Sequence, residues 1–413
     1  HQHRRPGGSR QRPGDQGQFY SAEDADSPLP ENPSEQAEGA FYVWEKGQID
    51  AALGEDDAII FNMIFDVQSG GNVKSDPHHE FHNKNVLIIE HSIEDAAAKF
   101  NKSPQDVRAL VDASLEKLFH IREKRPRPHL DDKTITAWNG LMISAFAQAY
   151  TVLGDKSHLV SAQKATAFIR KHLYDEKGHR LQRRFRAGES AIEGYVDDYA
   201  FFIQGLLDLY DATFDTDYIA WAVHLQDTQD RLFWDDQEGG YFSTSGDDAS
   251  ILLRMKETYD GAEPSPNSIA AMNLLRLAQY LGDEPYLAKA QKTFLQMGSQ
   301  LKSNPSATPK MMSALDFFLH KPKQIVIAGQ ADADDTKAML AAARAVFIPN
   351  RIIILADGGA GQAFLAQKQE FLKDVKSLDG KATAYVCEDY VCQLPTSDVK
   401  VMMHQLAGST ASE

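Results

Sequence analysis

"YAFFIQGLLDLYDATFDTDYIAWAVHLQDTQDRLFWD" runs from Tyr199 to Asp235. Its first half is apolar nearly all round, with Phe201, Phe202, Ile203, Leu206, Leu207 and Leu209 leaving little polar surface. A helix of that kind belongs in an interior. After the acidic break at Asp215 and Asp217, the second half spaces Ile219, Ala222 and Leu225 three residues apart, the pattern of a helix with one buried face. The stretch therefore predicts a helical hairpin with an inner helix and an outer partner.

The same pairing recurs on both sides. An apolar segment from Asn139, "NGLMISAFAQAYTVLGD", precedes "HLVSAQKATAFIRKHLYD" from His158, and a third pair begins at Ser268 and Tyr286. In the outer helices Leu159, Ile219 and Leu287 correspond, as do Ala162, Ala222 and Ala290, and Leu173, Phe233 and Leu301, with offsets of 60 and then 68 residues. The period exceeds that of short helical repeats. The surplus lies in Gly-containing connections, "YDEKGHRLQRRFRAGES" and "WDDQEGGYFSTSGDDASILLRMKETYDG", which read as β-hairpins. Inner helices ringed by outer partners describe a mostly α protein, an incomplete α/α toroid, predicted here over residues 19–320. After His320, strand-like "KQIVIAG", "RIIILADGG" and "ATAYVCED" alternate with helical segments, predicting a small parallel α/β domain over 321–413. Its glycines in "ADGGAGQ" form neither GxGxxG nor a P-loop, so the motif reads as scaffold and no cofactor is expected.

In a toroid, the turns before the inner helices converge on one rim of a central cavity. Here those turns are rich in polar groups. The first supplies His129, Asp131, Asp132, Trp138 and Asn139; the second Glu193, Tyr195, Asp197, Asp198 and Tyr199; the third Asp260, Glu263 and Asn267. The segment "YSAEDADS" adds Asp24 and Asp26. Carboxylates and amides hydrogen-bond sugar hydroxyls, aromatic faces stack on the ring, and glycosyl chemistry needs an acid opposed to a carboxylate. Asp198, Glu263, His129 and Asp131 are the candidate catalytic groups. Asp24, Asp26, Trp138, Asn139, Asp197, Tyr199, Asp260 and Asn267 are the candidate sugar-binding groups.

The competing reading is capping, since Asp, Ser and Asn are preferred N-caps and Pro266 suits a first helical position. A cap needs one side chain, however, and each turn brings several. The roles are therefore expected to divide. One of Asp197 and Asp198 caps while the other, with Tyr199, meets the ligand; Ser265 or Asn267 caps while Asp260 and Glu263 project; one of Asp131 and Asp132 faces the cavity beside His129 and Trp138.

Composition narrows the partners. The 413 residues include 43 basic and 59 acidic ones, a net charge of −16. Such a surface disfavours nucleic acid and anionic membrane and suits a small-molecule carbohydrate. The histidines show no metal spacing, so no metal is expected. Residues 1–18 hold almost no apolar side chain and are expected to be disordered. The opening lacks a starting methionine and reads as a fragment or a displaced start. With no apolar leader or 18-residue apolar run, an intracellular protein is expected. Cys387 and Cys392 do not form a CxxC motif and are expected as free thiols. Oligomeric state is not legible.

"GQFYSAEDADSP", "EGAFYVWEK", "REKRPRPHLDDKTITAWNGLMISA", "VDDYAFF", "DGAEPSPNS", "KQIVIAG" and "ATAYVCEDYVCQLP" together resemble the spermatogenesis-associated protein 20 family, also called the YyaL family. The resemblance extends from about Gln18 to the end. It implies a six-hairpin, glycosidase-like toroid related to N-acylglucosamine 2-epimerases, joined in that family to a thioredoxin-like domain. The chain is expected to lack that domain and the first hairpins, so no redox function is carried over. A sugar epimerase or glycoside hydrolase activity is what the resemblance implies. A non-catalytic sugar-binding or interaction scaffold is the alternative.

Overall fold

In a computed structural model of the chain, residues 14, 16–30, 32–76, 81–247, 251–320, 322–388 and 391–407 are described. The disorder expected for 1–18 falls largely on residues 1–13 and 15, outside the described residues. The chain divides into two compact units, one containing 21–132 and the other 16–20 with 133 onward.

The first unit contains strands β1 (Ala22–Glu23), β2 (Asp26–Pro28), β3 (Gln36–Glu38) and β4 (Leu130–Asp131), with helices α1 (Lys46–Leu53), α2 (Glu55–Ile64), α3 (Ile93–Phe100) and α4 (Pro104–Arg122). Trp44, Ile49, Phe61, Ile64, Val107 and Leu118 form its core. Ser92 and Ser103 cap α3 and α4 by accepting the N–H of Asp95 and Asp106, as the sequence signature demands. Arg125 donates to the carbonyls of Phe41 and Val43 and lies 4.0 Å over the Trp44 ring, which fixes the turn before α1.

The second unit is built on helical hairpins. These are α5 (Thr136–Leu153) with α6 (Lys156–His172), α7 (Val196–Thr213) with α8 (Thr216–Phe233), and α9 (Pro266–Leu281) with α10 (Glu284–Gln296). Helix α7 packs on α5 and on α9, and α9 packs on α12 (Pro309–Leu319), with the short α11 (Gly298–Ser303) between α10 and α12. Inner helices α7 and α9 are buried nearly all round, whereas α6, α8 and α10 bury one face. Ala162, Ala222 and Ala290 are all fully buried, so the repeat read in the sequence is a repeat of packing. This is the incomplete α/α toroid arrangement. Leu301 departs from the repeat because α10 ends at Gln296 and the residue falls on α11.

Helices α5 and α7 cross at glycines. A Cβ on Gly140 would lie 2.6 Å from the Phe201 carbonyl carbon, and one on Gly205 would lie 2.9 Å from the Gly140 carbonyl oxygen. Between α6 and α7 the expected hairpin is present as β7 (Arg180–Arg186) and β8 (Glu189–Glu193), flanked by β5 (Thr134–Ile135) and β6 (Tyr174–Asp175). Between α8 and α9 the described residues show only a bridge from Trp234 to Tyr241.

The C-terminal part forms one sheet of β9 (Lys323–Ala328), β10 (Arg351–Ala356), β11 (Thr383–Glu388) and β12 (Val391–Cys392), in the order β10-β9-β11-β12. Helices α13 (Asp334–Ala345), α14 (Ala360–Ala366) and α15 (Val399–Ala407) accompany it. The sheet is mixed, which corrects the all-parallel expectation: β9 and β10 are parallel, but β11 runs antiparallel to β9. The chain after α14 enters β11 at the end where β9 and β10 finish, so β11 can only run back. Cys387 and Cys392 are disulfide-bonded, correcting the free-thiol expectation. The β11–β12 pairing sets the two cysteines directly opposite, with Cα atoms 3.9 Å apart.

Candidate functional site

Each inner helix of the second unit starts on side chains that the sequence offered as site residues. Asp198 is fully buried, and its Oδ1 accepts the Ala137 N–H at 2.9 Å while Oδ2 accepts the Tyr195 N–H at 2.9 Å. One carboxylate therefore caps α5 and α7 together. The first turn of α5 has no acid of its own and its N-cap, Ile135, has no capping side chain. Arg183, reaching across from β7, donates to Asp198 Oδ2 at 2.9 Å and to both oxygens of Asp197 at 3.0 Å. Burial, and then the adjacent Asp197 charge, push the Asp198 carboxyl up to about 7, against the pull of Arg183 and the two backbone donors. The guanidinium lies 4.7 Å over the Tyr195 ring.

Asn139 and Asn267 are matching backbone clamps rather than ligand-facing amides. Asn139 accepts the Phe19 N–H at 2.9 Å and donates to the Phe19 carbonyl at 3.0 Å; Asn267 accepts the Tyr241 N–H at 2.7 Å and donates to its carbonyl at 2.9 Å. Both are buried. Asp260, expected to project, instead accepts the Ser265 N–H at 2.8 Å and the Lys310 N–H at 2.8 Å, so it secures the start of α12. Ser265 is the cap of α9. Tyr199 is buried, its hydroxyl accepting the Leu181 N–H at 3.0 Å, and burial pushes its phenol up to about 12. Asp198, Asp260 and Ser265 serve buried helix starts, whose first N–H groups have no solvent to satisfy them, while Asn139, Asn267 and Tyr199 satisfy buried backbone of segments packed against the helices.

What stays open is a smaller group. Trp138 is 39 % exposed and its indole N–H donates to Glu263 Oε2 at 3.0 Å. Tyr195 is 40 % exposed. Glu257, which the sequence reading did not single out, is raised above the usual carboxylate range by burial and then by the charges of Asp197 and Glu263. Asp197, Glu257 and Glu263 thus share one electrostatic neighbourhood, with Arg183 at its edge. The only sequence signal for Glu257 is the long connection that carries it, and for Arg183 the basic run "RLQRRFR".

Farther along the inner helices, α5, α7, α9 and α12, together with the segment from the end of α13 into β10, line a cavity of about 570 Å3 that includes Gln148, Gln204, Asp208, Arg276 and Arg344. Arg276 donates to Asp208 and Asp211 at 2.8 and 2.7 Å, and their charges hold its guanidinium far above its ordinary value.

Asp24, Asp26, His129 and Asp131 belong to the first unit. The Asp24 N–H donates to the His129 carbonyl at 2.8 Å, and Asp24 Oδ1 accepts the Asp26 N–H at 3.2 Å. Asp131 pairs with Ala22 in the β1–β4 ladder, and the His129 side chain is exposed. Among the described residues no three His, Cys, Asp or Glu side chains are grouped to hold a metal ion. No described helix is long and apolar enough to cross a membrane.

No protein-family model matches the chain. Among curated proteins it is 40 % identical over 402 residues to spermatogenesis-associated protein 20 of Homo sapiens, covering 92 % of this chain and 51 % of that protein. The protein of the same name from Mus musculus is 38 % identical over 412 residues, covering 94 % and 52 %. The chain thus spans about half the length of the curated relatives it matches. Similar solved structures include a cellobiose 2-epimerase from Bacillus thermoamylovorans, 13 % identical, covering 63 % of this chain and 66 % of that one at a TM-score of 0.37. An inactive α-1,6-mannanase variant from Salegentibacter in complex with α-1,6-mannotetrose is 12 % identical, covering 80 % and 87 % at a TM-score of 0.35.

Proposed function

We propose that this spermatogenesis-associated protein 20 homologue is carbohydrate-active, binding a sugar where Trp138 and Tyr195 present ring faces beside Asp197, Glu257 and Glu263. The observation that carries the reading is the exposed Trp138 indole hydrogen-bonded to Glu263 next to a raised Glu257. Ring faces with flanking carboxylates suit a polyhydroxylated ligand, and glycosyl chemistry needs one carboxyl group as acid opposed to a second as carboxylate. Glu257 is the acid in this reading and Glu263 the opposed carboxylate. Hydrolysis fits this trio better than epimerisation, because paired carboxyl groups are what glycoside hydrolysis uses. Of the groups first offered as catalytic, Asp198 is committed to the frame. That observation favours a second reading, a sugar-binding surface without turnover.

The test is a saccharide panel followed by NMR in heavy water with the parent, Trp138→Ala, Glu257→Gln and Glu263→Gln. Hydrolysis releases new reducing ends, epimerisation exchanges the proton at C2, and a binder does neither. Trp138→Ala is expected to weaken binding by about tenfold, the loss of one stacked aromatic. Glu257→Gln is expected to abolish turnover by about a hundredfold or more while leaving binding within a few-fold. Variants that bind and turn over as the parent does would remove this group from the function. Binding in the parent without either reaction selects the second reading.

A further inference from the structure

The glycine-rich turn "ADGGAGQ" opens onto a second crevice, remote in sequence from the sugar-binding group and unused by it. It has a volume of about 390 Å3, within the range of small-molecule sites, and lies where β9 and β10 end. Parallel strands place ligands at their carboxyl ends, and β9 lies between the parallel β10 and the antiparallel β11.

Three features of the lining point to an anion. Lys373, Lys376 and Lys381 all line it, and among the described residues neither Lys376 nor Lys381 forms an ion pair. Its two acids are already engaged by backbone: Asp335 accepts the Ala382 N–H at 2.7 Å and the Thr336 N–H at 2.8 Å, and Asp357 accepts the Gly359 N–H at 2.8 Å. Thr336, in the first turn of α13, is fully buried, yet its hydroxyl has no hydrogen-bond partner although the residue lines the crevice. A buried hydroxyl without a partner is an unmet demand for one. The hydroxyl stands where a Gly329 Cβ would be, 2.3 Å away, so the glycine at the end of β9 leaves room for it. The positive end of the α13 dipole adds to the lysines.

We infer that this crevice binds a phosphate monoester of a hydroxylated small molecule, of the size of a sugar phosphate or nucleoside monophosphate. Lys376 and Lys381 neutralise the phosphate, Thr336 donates its hydroxyl, and the Asp335 and Asp357 oxygens remain able to accept a second bond from ligand hydroxyls. The sequence motif fails as a P-loop because the lysines come from the segment leading into β11 rather than from the glycine turn.

Isothermal titration of the full chain with inorganic phosphate, ribose 5-phosphate, AMP and uncharged ribose tests this. Saturable single-site binding is expected for the phosphate-bearing probes and not for ribose. A preference for ribose 5-phosphate over AMP, or the reverse, identifies the carrier. Lys376→Ala with Lys381→Ala should weaken binding by about thirtyfold, the loss of two charge-assisted contacts, and Thr336→Val by about fivefold. Lys117→Ala with Lys124→Ala, in the first unit, should change nothing. Absence of saturable heat for every phosphate probe at about 10 mM, a concentration above millimolar affinity, overturns the inference. An equal loss in the control pair also overturns it, because the binding would then be diffuse charge attraction.

Discussion

Arg183→Met is expected to destabilise the second unit by about 3–5 kcal/mol, the range for removing one partner of a buried charge pair. Among the described residues the arginine is the one cation that reaches both Asp197 and Asp198, and Asp198 has no exposed surface. The loss should also depend on pH. Asp198 has its folded pKa raised from 3.8 to about 7, so the stability it contributes is present below about 4 and lost as pH rises through 7. Arg183 is among the groups that hold this value down, and without it the carboxyl climbs further. The window of loss then extends above 7, and the deficit of the variant grows between pH 6 and pH 9. Urea unfolding read by tryptophan fluorescence measures this, since Trp138, Trp221 and Trp234 all lie in this unit. Adding Asp198→Asn should return part of the loss at pH 9, because it removes the stranded charge. A deficit independent of pH would show that Arg183 acts by packing on Tyr195 rather than by charge.

That arginine also marks where the sequence stopped being legible. The inner and outer helices follow from periodicity alone: Leu206 and Leu209 on an all-round apolar helix, and Ala162, Ala222 and Ala290 at fixed offsets, leave few other packings. The family resemblance rested on ordered motifs and is matched by relatives aligned over nearly the whole chain. The turns were harder. Local rules assign an aspartate before a helix to that helix, and Ser265 obeys them. Asp198 caps a helix that begins 62 residues earlier in the chain, at Thr136, and Asp260 one that begins 49 residues later, at Pro309. No local pattern carries that information, because it depends on which helices lie side by side. Asn139 and Asn267 are alike in this respect: their amides read as ligand-facing but are spent on backbone 120 and 26 residues away. Glu257 was missed for the converse reason, since burial comes first in raising its carboxyl and the larger charge beside it belongs to Asp197, distant in sequence and near only after folding.

Gly140→Leu is expected to prevent the second unit from folding, and Gly140→Ala to destabilise it by about 3 kcal/mol, the upper part of the range for overpacking. The closeness of α5 and α7 depends on missing side chains at Gly140 and Gly205, of which Gly140 meets the closer contacts. A Cβ at 140 would stand 2.6 Å from the Phe201 carbonyl carbon and the Phe202 nitrogen and 2.7 Å from the Phe201 oxygen. These are backbone atoms inside a helix, so no rotamer change relieves the contact. Helix α7 would have to move outward, and its fully buried neighbours Phe201, Phe202 and Tyr199 would lose their packing with it. Asp198 would move too, loosening its bond to the Ala137 N–H and with it the cap of α5. Propensity works the other way, since Ala favours a helix over Gly by about 1 kcal/mol. Gly47→Ala isolates that term: Gly47 lies within α1 and a Cβ there meets nothing within 4 Å. Thermal unfolding of the two alanine variants should therefore move in opposite directions, Gly47→Ala upward by a few degrees and Gly140→Ala downward by more than that. If Gly140→Ala were as stable as the parent, the inner helices would not be in the close crossing on which the shared Asp198 cap depends.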